Sequence, residues 1–224
     1  MLAAGLGAYY AWSESLWDAS LWWDVAFLSF VLIPAVFGLV YLALPLRTRR
    51  GLLPAGLALV ALAWVLHEAG AEAAADFAKL AAATALAFGF VTYFETVGLV
   101  VLVALVVPWI DAYSVWRGPT ENIVEEHPEV FTSVAFAFPV PGEEESARIG
   151  PPDLLFFAFF LAAADRFGLR VGWTWTCMTL SFGATIAIAV AADSSGLPAL
   201  PGLALGFLVP NADILWRRLR ARKQ

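Results

Sequence analysis

Two aspartates stand where carboxylates are rare. Asp111 lies in the apolar run VVPWIDAY (residues 106–113), and Asp153 in GPPDLLFF (residues 150–157). A carboxylate in a bilayer core costs roughly 2.5–3.5 kcal/mol on insertion scales, so such residues are few and usually carry function. Two carboxyls that meet in a low-dielectric site cannot both ionise easily; they share a proton and titrate as a pair. Such a pair can hydrolyse a peptide bond, the ionised carboxylate activating water while its protonated partner polarises the scissile carbonyl. The alternative is that each is an interfacial residue at a helix end. For Asp153 this alternative has a physical basis, because an acid in the first turn after Pro151-Pro152 makes a good helix start. Asp111, well inside its apolar run, fits it less well.

The elements that must position these residues are membrane helices. The 224-residue chain is 61% hydrophobic and 14% charged, with a mean hydropathy of +0.78, against about a quarter charged in an ordinary soluble domain. Its apolar residues gather in runs of about twenty, the length of a span. The expected fold class is an all-α polytopic membrane protein with about seven transmembrane helices: residues 22–46, 52–68, 73–94, 96–116, 151–166, 172–192 and 200–216. The apolar stretch 77–110 would be about 51 Å long as a single helix, far beyond a core of about 30 Å, so a turn is expected at Tyr93, Glu95 and Thr96. The chain then divides into a short extracytoplasmic segment (1–21), N-terminal helices (22–95), a catalytic core (96–217) containing the 118–150 loop, and a basic cytoplasmic tail (218–224). The fourth and fifth spans are consecutive and antiparallel, which puts Asp111 and Asp153 on one side at comparable depth.

Charge placement orients the chain. With the N-terminus outside, ten of the 13 basic residues (Arg47, Arg49, Arg50, Arg166, Arg170, Arg217, Arg218, Arg220, Arg222 and Lys223) fall on the cytoplasmic side, as the bias of short loops requires. Glu68, Glu72, Asp76, the seven glutamates from Glu121 to Glu145, and Asp193 fall outside, with Lys79 near the outer end of the third span. No removable signal peptide is expected at the N-terminus. The single Cys177 excludes an internal disulfide framework. His67, His127 and Cys177 lie too far apart to form a recognisable metal-ligand pattern, so no metal and no cofactor is expected. Membrane lipid is the expected surroundings, nucleic acid is not an expected partner, and the oligomeric state is open.

A third feature falls on the side of the aspartates: Pro198-Ala199-Leu200-Pro201 at the start of the last span. Irregular backbone at that depth is tolerable where it lines a cavity. An aspartate in one span, a loop, an aspartate at the head of the next span, then Pro-Ala-Leu near the last span: this order resembles the presenilin and signal peptide peptidase family of intramembrane aspartyl proteases. Here it reads Ile110-Asp111, Gly150-Pro151-Pro152-Asp153 and Pro198-Ala199-Leu200-Pro201, and Ser114-Val115-Trp116-Arg117 is similar to archaeal members. The resemblance covers roughly residues 96–216 and implies a presenilin-like arrangement of the last four spans. It implies Asp111 and Asp153 as the catalytic dyad, with Pro198, Ala199, Leu200, Pro201 and Gly150 shaping the site around a substrate. It implies substrates that are transmembrane helices or remnant signal peptides, unwinding to add a strand beside the dyad. Residues 134–138 or 147–149 are candidates for the strand edge they would join, or are ordinary loop. Three features depart from the pattern: Ile110 replaces a tyrosine, Pro152 replaces the glycine before the second aspartate, and the chain has seven expected spans where the family has nine. The alternatives are a catalytically silent presenilin-like protein that binds membrane helices, and a transporter using the same aspartates for protons or cations; no internal repeat favours the latter.

The remaining conspicuous residues have structural explanations. The ten tryptophans are expected near span ends as an aromatic belt. Thr174, Thr176, Thr179 and Ser181 are expected to bond to their own helix or a neighbour, Asp213 to be a neutralised interfacial acid, and Pro108 to kink the fourth span.

Overall fold

The computed structural model describes residues 1–117, 133–143, 146–192 and 197–221. His127, Asp193, Arg222, Lys223 and all the loop glutamates except Glu143 lie outside them. The described chain is mostly helical. Helix α1 (Leu2–Trp12) occupies much of the segment 1–21 and packs on α3 and α5. A composite helix follows: α2 (Leu21–Phe27), a π-helical turn (Leu28–Leu32), α3 (Ile33–Ala43) and a 3-10 turn (Leu44–Thr48). Pro34 cannot donate to the carbonyl four residues back and its ring crowds that carbonyl; the widened turn just before it accommodates both. Helices α4 (Leu52–Glu68) and α5 (Glu72–Phe90) form a tight antiparallel pair, and α6 (Val97–Arg117) follows the turn expected at Tyr93–Thr96. Strands β1 (Phe136–Pro139) and β2 (Ser146–Ile149) pair antiparallel, Phe136 opposite Ile149 and Pro139 opposite Ser146. Then come α7 (Pro151–Arg166), α8 (Val171–Ala191), α9 (Leu200–Leu208) and, after a 3-10 turn, α10 (Ala212–Ala221).

Four of these segments are long and apolar enough to cross a membrane: Leu21–Thr48, Glu72–Tyr93, Val97–Val115 and Val171–Ala191. Their outward faces carry Phe30, Leu42, Leu102, Leu105, Trp109, Leu180 and Ile188, all exposed. A soluble protein does not leave so much contiguous apolar surface in water. This is a helical membrane protein.

Helix α7 is the centre of the bundle. It is apolar all round, as a helix enclosed by others should be, and every residue from Phe157 to Ala164 is buried. Phe157 stacks on Phe37 of α3 with centroids 3.8 Å apart, and Phe160 on Phe207 of α9 at 5.0 Å. Its 16 residues span only about 24 Å, a length that suits a helix surrounded by protein rather than lipid. The end of α7 remote from Asp153 is tied by Asp165 to Arg47 (2.8 Å). Nearby, fully buried Asn211 donates to the Thr174 hydroxyl and the Phe207 carbonyl, and accepts the Arg170 backbone N–H, all at 2.8–2.9 Å. Such a network is stabilising because every member is satisfied.

One sequence expectation changes here, at Thr179. Asp213 is the neutralised interfacial acid expected: Arg170 grips it at 2.8 and 2.9 Å and Arg217 at 2.9 Å, a pair of guanidinium contacts that holds a carboxylate. Thr176 bonds to its own helix and Thr174 to a neighbour, but the buried Thr179 hydroxyl has no partner among the described residues. Most tryptophans whose side chains are described are exposed; Trp175 instead donates to the Phe37 carbonyl and pins α8 to α3.

Candidate active site at the paired aspartates

Asp111 lies two turns before the end of α6. Pro108, one turn earlier, removes the amide that would bond to the Ala104 carbonyl, but the helix continues through it to Arg117. Asp153 is the third residue of α7. Pro151 and Pro152 occupy the first two positions, where a missing N–H is no loss, and the Asp153 N–H bonds to the Gly150 carbonyl at 3.1 Å. Both aspartates are half-buried, and the two carboxyls are near enough to interact electrostatically.

The third segment arrives through a backbone contact. The Leu200 N–H donates to Asp111 Oδ2 at 3.0 Å, across 89 residues of sequence. Leu200 opens α9, and an N–H in a first helical turn has no partner within its own helix, so the carboxylate supplies one. Ala199 and Leu200 are buried; Pro198 and Pro201 are half-buried. Close packing fixes α9 there. A Cβ on Gly206 would lie 2.7 Å from the Met178 Cα, and one on Gly202 3.3 Å from the Ser181 Cβ. The pair is a G-x-x-x-G face that lets α9 lie against the α8 backbone.

Gly150 also adjoins the site. A Cβ there would sit 3.5 Å from Asp153 Oδ2, in ordinary van der Waals contact with the carboxyl. Ile110 is 61% exposed and faces away from the bundle. Pro152 is exposed at the helix start.

The hairpin leads straight into the site, since β2 ends one residue before Gly150. Of the candidate segments 134–138 and 147–149, residues 136–138 and 147–149 lie in strands, and these strands pair with each other. The outer edge of β1 is covered by side chains. Tyr10 donates to the Ala137 carbonyl and Tyr9 to the Pro139 carbonyl, each at 2.7 Å. Lys79 donates to the Ala135 carbonyl at 2.8 Å, and Asp76 accepts the Ala137 N–H. Lys79 and Asp76 form an ion pair at 3.0 Å, their side chains 12% and 5% exposed. Pro139 has no N–H to satisfy, which suits an edge position. Burial, with Asp24 beside Tyr9 and Asp76 beside Tyr10, pushes both phenols above their ordinary value, Tyr9 to about 12. Each therefore keeps its proton and donates.

The alternation of an antiparallel ladder fixes the other edge. Ala137 points its backbone groups outward, so Phe136 and Phe138 face β2, and on β2 it is Ser146 and Arg148 that point away. Their outward N–H and C=O groups have no backbone partner among the described residues. Among the described residues, one edge of the hairpin is closed and the other is open.

Tyr9, Tyr10, Asp76 and Lys79 are not apparent as site residues in the sequence. The i, i+3 spacing of Asp76 and Lys79 was a usable signal for a buried pair; the tyrosines gave none. Asp24 is a further carboxylate within an apolar helix, 6% exposed, with neither oxygen bonded among the described residues. Its electrostatic neighbours are Asp18 and Tyr9, at the turn end of the hairpin. His67 pairs with Glu72 at 3.0 Å.

Fold and site together define a helical membrane protein with two interacting carboxyls, a backbone amide donating to one of them, and a hairpin joined to the other. No known protein-family model, curated protein or solved structure matches the chain.

Proposed function

We propose that the protein is an intramembrane aspartyl protease of the presenilin and signal peptide peptidase type, with Asp111 and Asp153 as its dyad. The observation that carries this reading is the Leu200 N–H on Asp111: Pro-Ala-Leu-Pro meets one aspartate across 89 residues of sequence, and the second aspartate lies within electrostatic range of the first. In hydrolysis one carboxylate takes a proton from water as the oxygen attacks the scissile carbonyl. The protonated partner donates to the carbonyl oxygen, and collapse of the tetrahedral species passes a proton to the leaving amine. The Leu200 amide donates to Asp111 Oδ2 and so holds that carboxyl in place for the reaction.

The open edge of β2 suggests how a transmembrane helix is received. A helix in lipid has its amides satisfied internally, so it must unwind before a peptide bond is accessible. Pairing of the unwound segment with Ser146 and Arg148 would replace the lost hydrogen bonds and align it towards Asp153, five residues beyond Arg148. Seven helical segments in all cross the membrane in this reading, the four long ones plus α4, the enclosed α7, and α9 continuing towards α10. The N-terminus is then outside and the C-terminus cytoplasmic. By analogy with signal peptide peptidase, that orientation favours substrates with cytoplasmic N-termini. A reporter fused after Gln224 is expected to be active only on the cytoplasmic side; activity only on the outer side would refute the topology.

A second reading, a silent binder of membrane helices, is motivated by Pro152 in place of glycine. A photoreactive transition-state analogue of aspartic proteases separates the two. The wild-type chain is expected to be labelled, and labelling is expected to be lost in Asp111→Asn. Absence of labelling in a folded wild-type chain, with helix binding intact, would favour the silent binder.

A further inference from the structure

Far from the dyad, the junction of the composite helix with α4 faces the loop after α5 across a cavity of about 410 Å³. One wall carries Arg47, Thr48, Arg49 and Arg50, and the other Thr92 and Tyr93. Arg47 is neutralised and held in place by Asp165 at 2.8 Å. Arg49 and Arg50 are different: both are exposed, and neither side chain has a hydrogen-bond or ion-pair partner among the described residues. Gly51, at φ +82°, turns the chain sharply after them, which keeps both arginines on the rim instead of carrying them into α4. Glu95, two residues beyond Tyr93, is not among the lining residues.

The lower wall is apolar. Leu53 lines the cavity, and Leu57, one turn further on the same face of α4, is 65% exposed. Unpaired guanidinium groups above an apolar helix face, with Tyr93 exposed beside them, match a molecule that is anionic at one end and hydrocarbon at the other. A guanidinium binds phosphate through two parallel N–H donors. A soluble phosphate ester would use the arginines and leave the leucine face unused.

We propose that this cavity is a binding site for the phosphate headgroup of an anionic phospholipid, whose acyl chain lies along Leu53 and Leu57. The site is independent of the aspartates and of any proteolytic activity. It also differs from general attraction of a basic face to a membrane, because it assigns the contact to two arginines among many.

The test is native mass spectrometry of the detergent-solubilised full chain, titrated with dioleoyl-phosphatidylglycerol or dioleoyl-phosphatidylcholine. The wild type is expected to retain one phosphatidylglycerol in preference to phosphatidylcholine. Each arginine near a membrane surface contributes about fivefold, so Arg49→Gln/Arg50→Gln should weaken retention about 30-fold. Arg217→Gln/Arg220→Gln, which removes two other cations from the chain, should leave it unchanged. Arg49→Lys/Arg50→Lys keeps the charge and should retain most of the binding, which guards against a fold defect in the first variant. Equal retention by wild type and Arg49→Gln/Arg50→Gln, or equal loss in Arg217→Gln/Arg220→Gln, overturns the assignment. Displacement of the lipid by free glycerol phosphate at matched concentration would assign the cavity to a soluble ester and overturn it as well.

Discussion

Asp153→Asn is expected to lower cleavage of a reconstituted transmembrane substrate by about 10³-fold or more, and Asp111→Asn to do the same, with the chain still folded. Asparagine matches the volume of aspartate and keeps an oxygen to accept a hydrogen bond, but it can neither take a proton from water nor share one with its partner. At Asp111 this matters doubly, because the asparagine oxygen can still accept the Leu200 N–H found at 3.0 Å. Asp111→Ala would leave that buried amide unpaired at a cost of about 1–3 kcal/mol, mixing a structural defect into the measurement. Groups that act as a unit are grossly non-additive, so the double asparagine variant should be no slower than the slower single one. The measurement is initial cleavage rate in liposomes, with thermal unfolding as the control for fold. Wild-type cleavage by either folded variant would refute the dyad.

How much of this was legible in the sequence depends on the range of the interaction. Helices set by long apolar runs were readable: residues 52–68 and 151–166 are helices at those bounds, and the turn near Tyr93 falls where a 30 Å core demands one. The placement of both aspartates towards one side followed from counting spans, and Pro-Ala-Leu-Pro followed from its prolines. Segments 134–138 and 147–149 were visible as strand candidates, close to the strands 136–139 and 146–149, but their pairing with each other was not, because the pattern of so few residues does not name a partner. The helix in residues 2–12 was missed for a related reason. It is short and apolar on most faces, so it has neither the length of a span nor a periodic stripe. The covers of the β1 edge were invisible, because Tyr9 and Tyr10 reach residues 127–130 positions away and Lys79 reaches one 56 away. Gly202 and Gly206, by contrast, carry a readable spacing: small residues four apart in an apolar helix mark a close helix contact.

Those missed residues carry the second large effect. Lys79→Met is expected to destabilise the chain by about 3–5 kcal/mol, read as a lowered unfolding temperature in detergent. The substitution keeps the apolar stem but leaves Asp76, with a side chain 5% exposed, without its cation, and strips the Ala135 carbonyl of its donor. Asp76→Asn/Lys79→Met removes both charges at once and should recover much of the loss, since an uncompensated buried charge is the main penalty. Tyr10→Phe removes a single donor from the Ala137 carbonyl and should cost about 1–3 kcal/mol. The effect on catalysis should differ in kind. The dyad does not touch Tyr10, so kcat/KM should be nearly unchanged. The hairpin that Tyr10 helps to close on one edge would, however, gain a second place for a strand to add, and some substrate would pair away from Asp153. Unproductive pairing lowers kcat and KM together, so a matched fall of both in Tyr10→Phe is the signature of an edge cover that directs substrate to β2. A fall in kcat with KM unchanged would mean instead that the tyrosine serves the dyad's geometry, and that the closed edge has no part in choosing where the substrate binds.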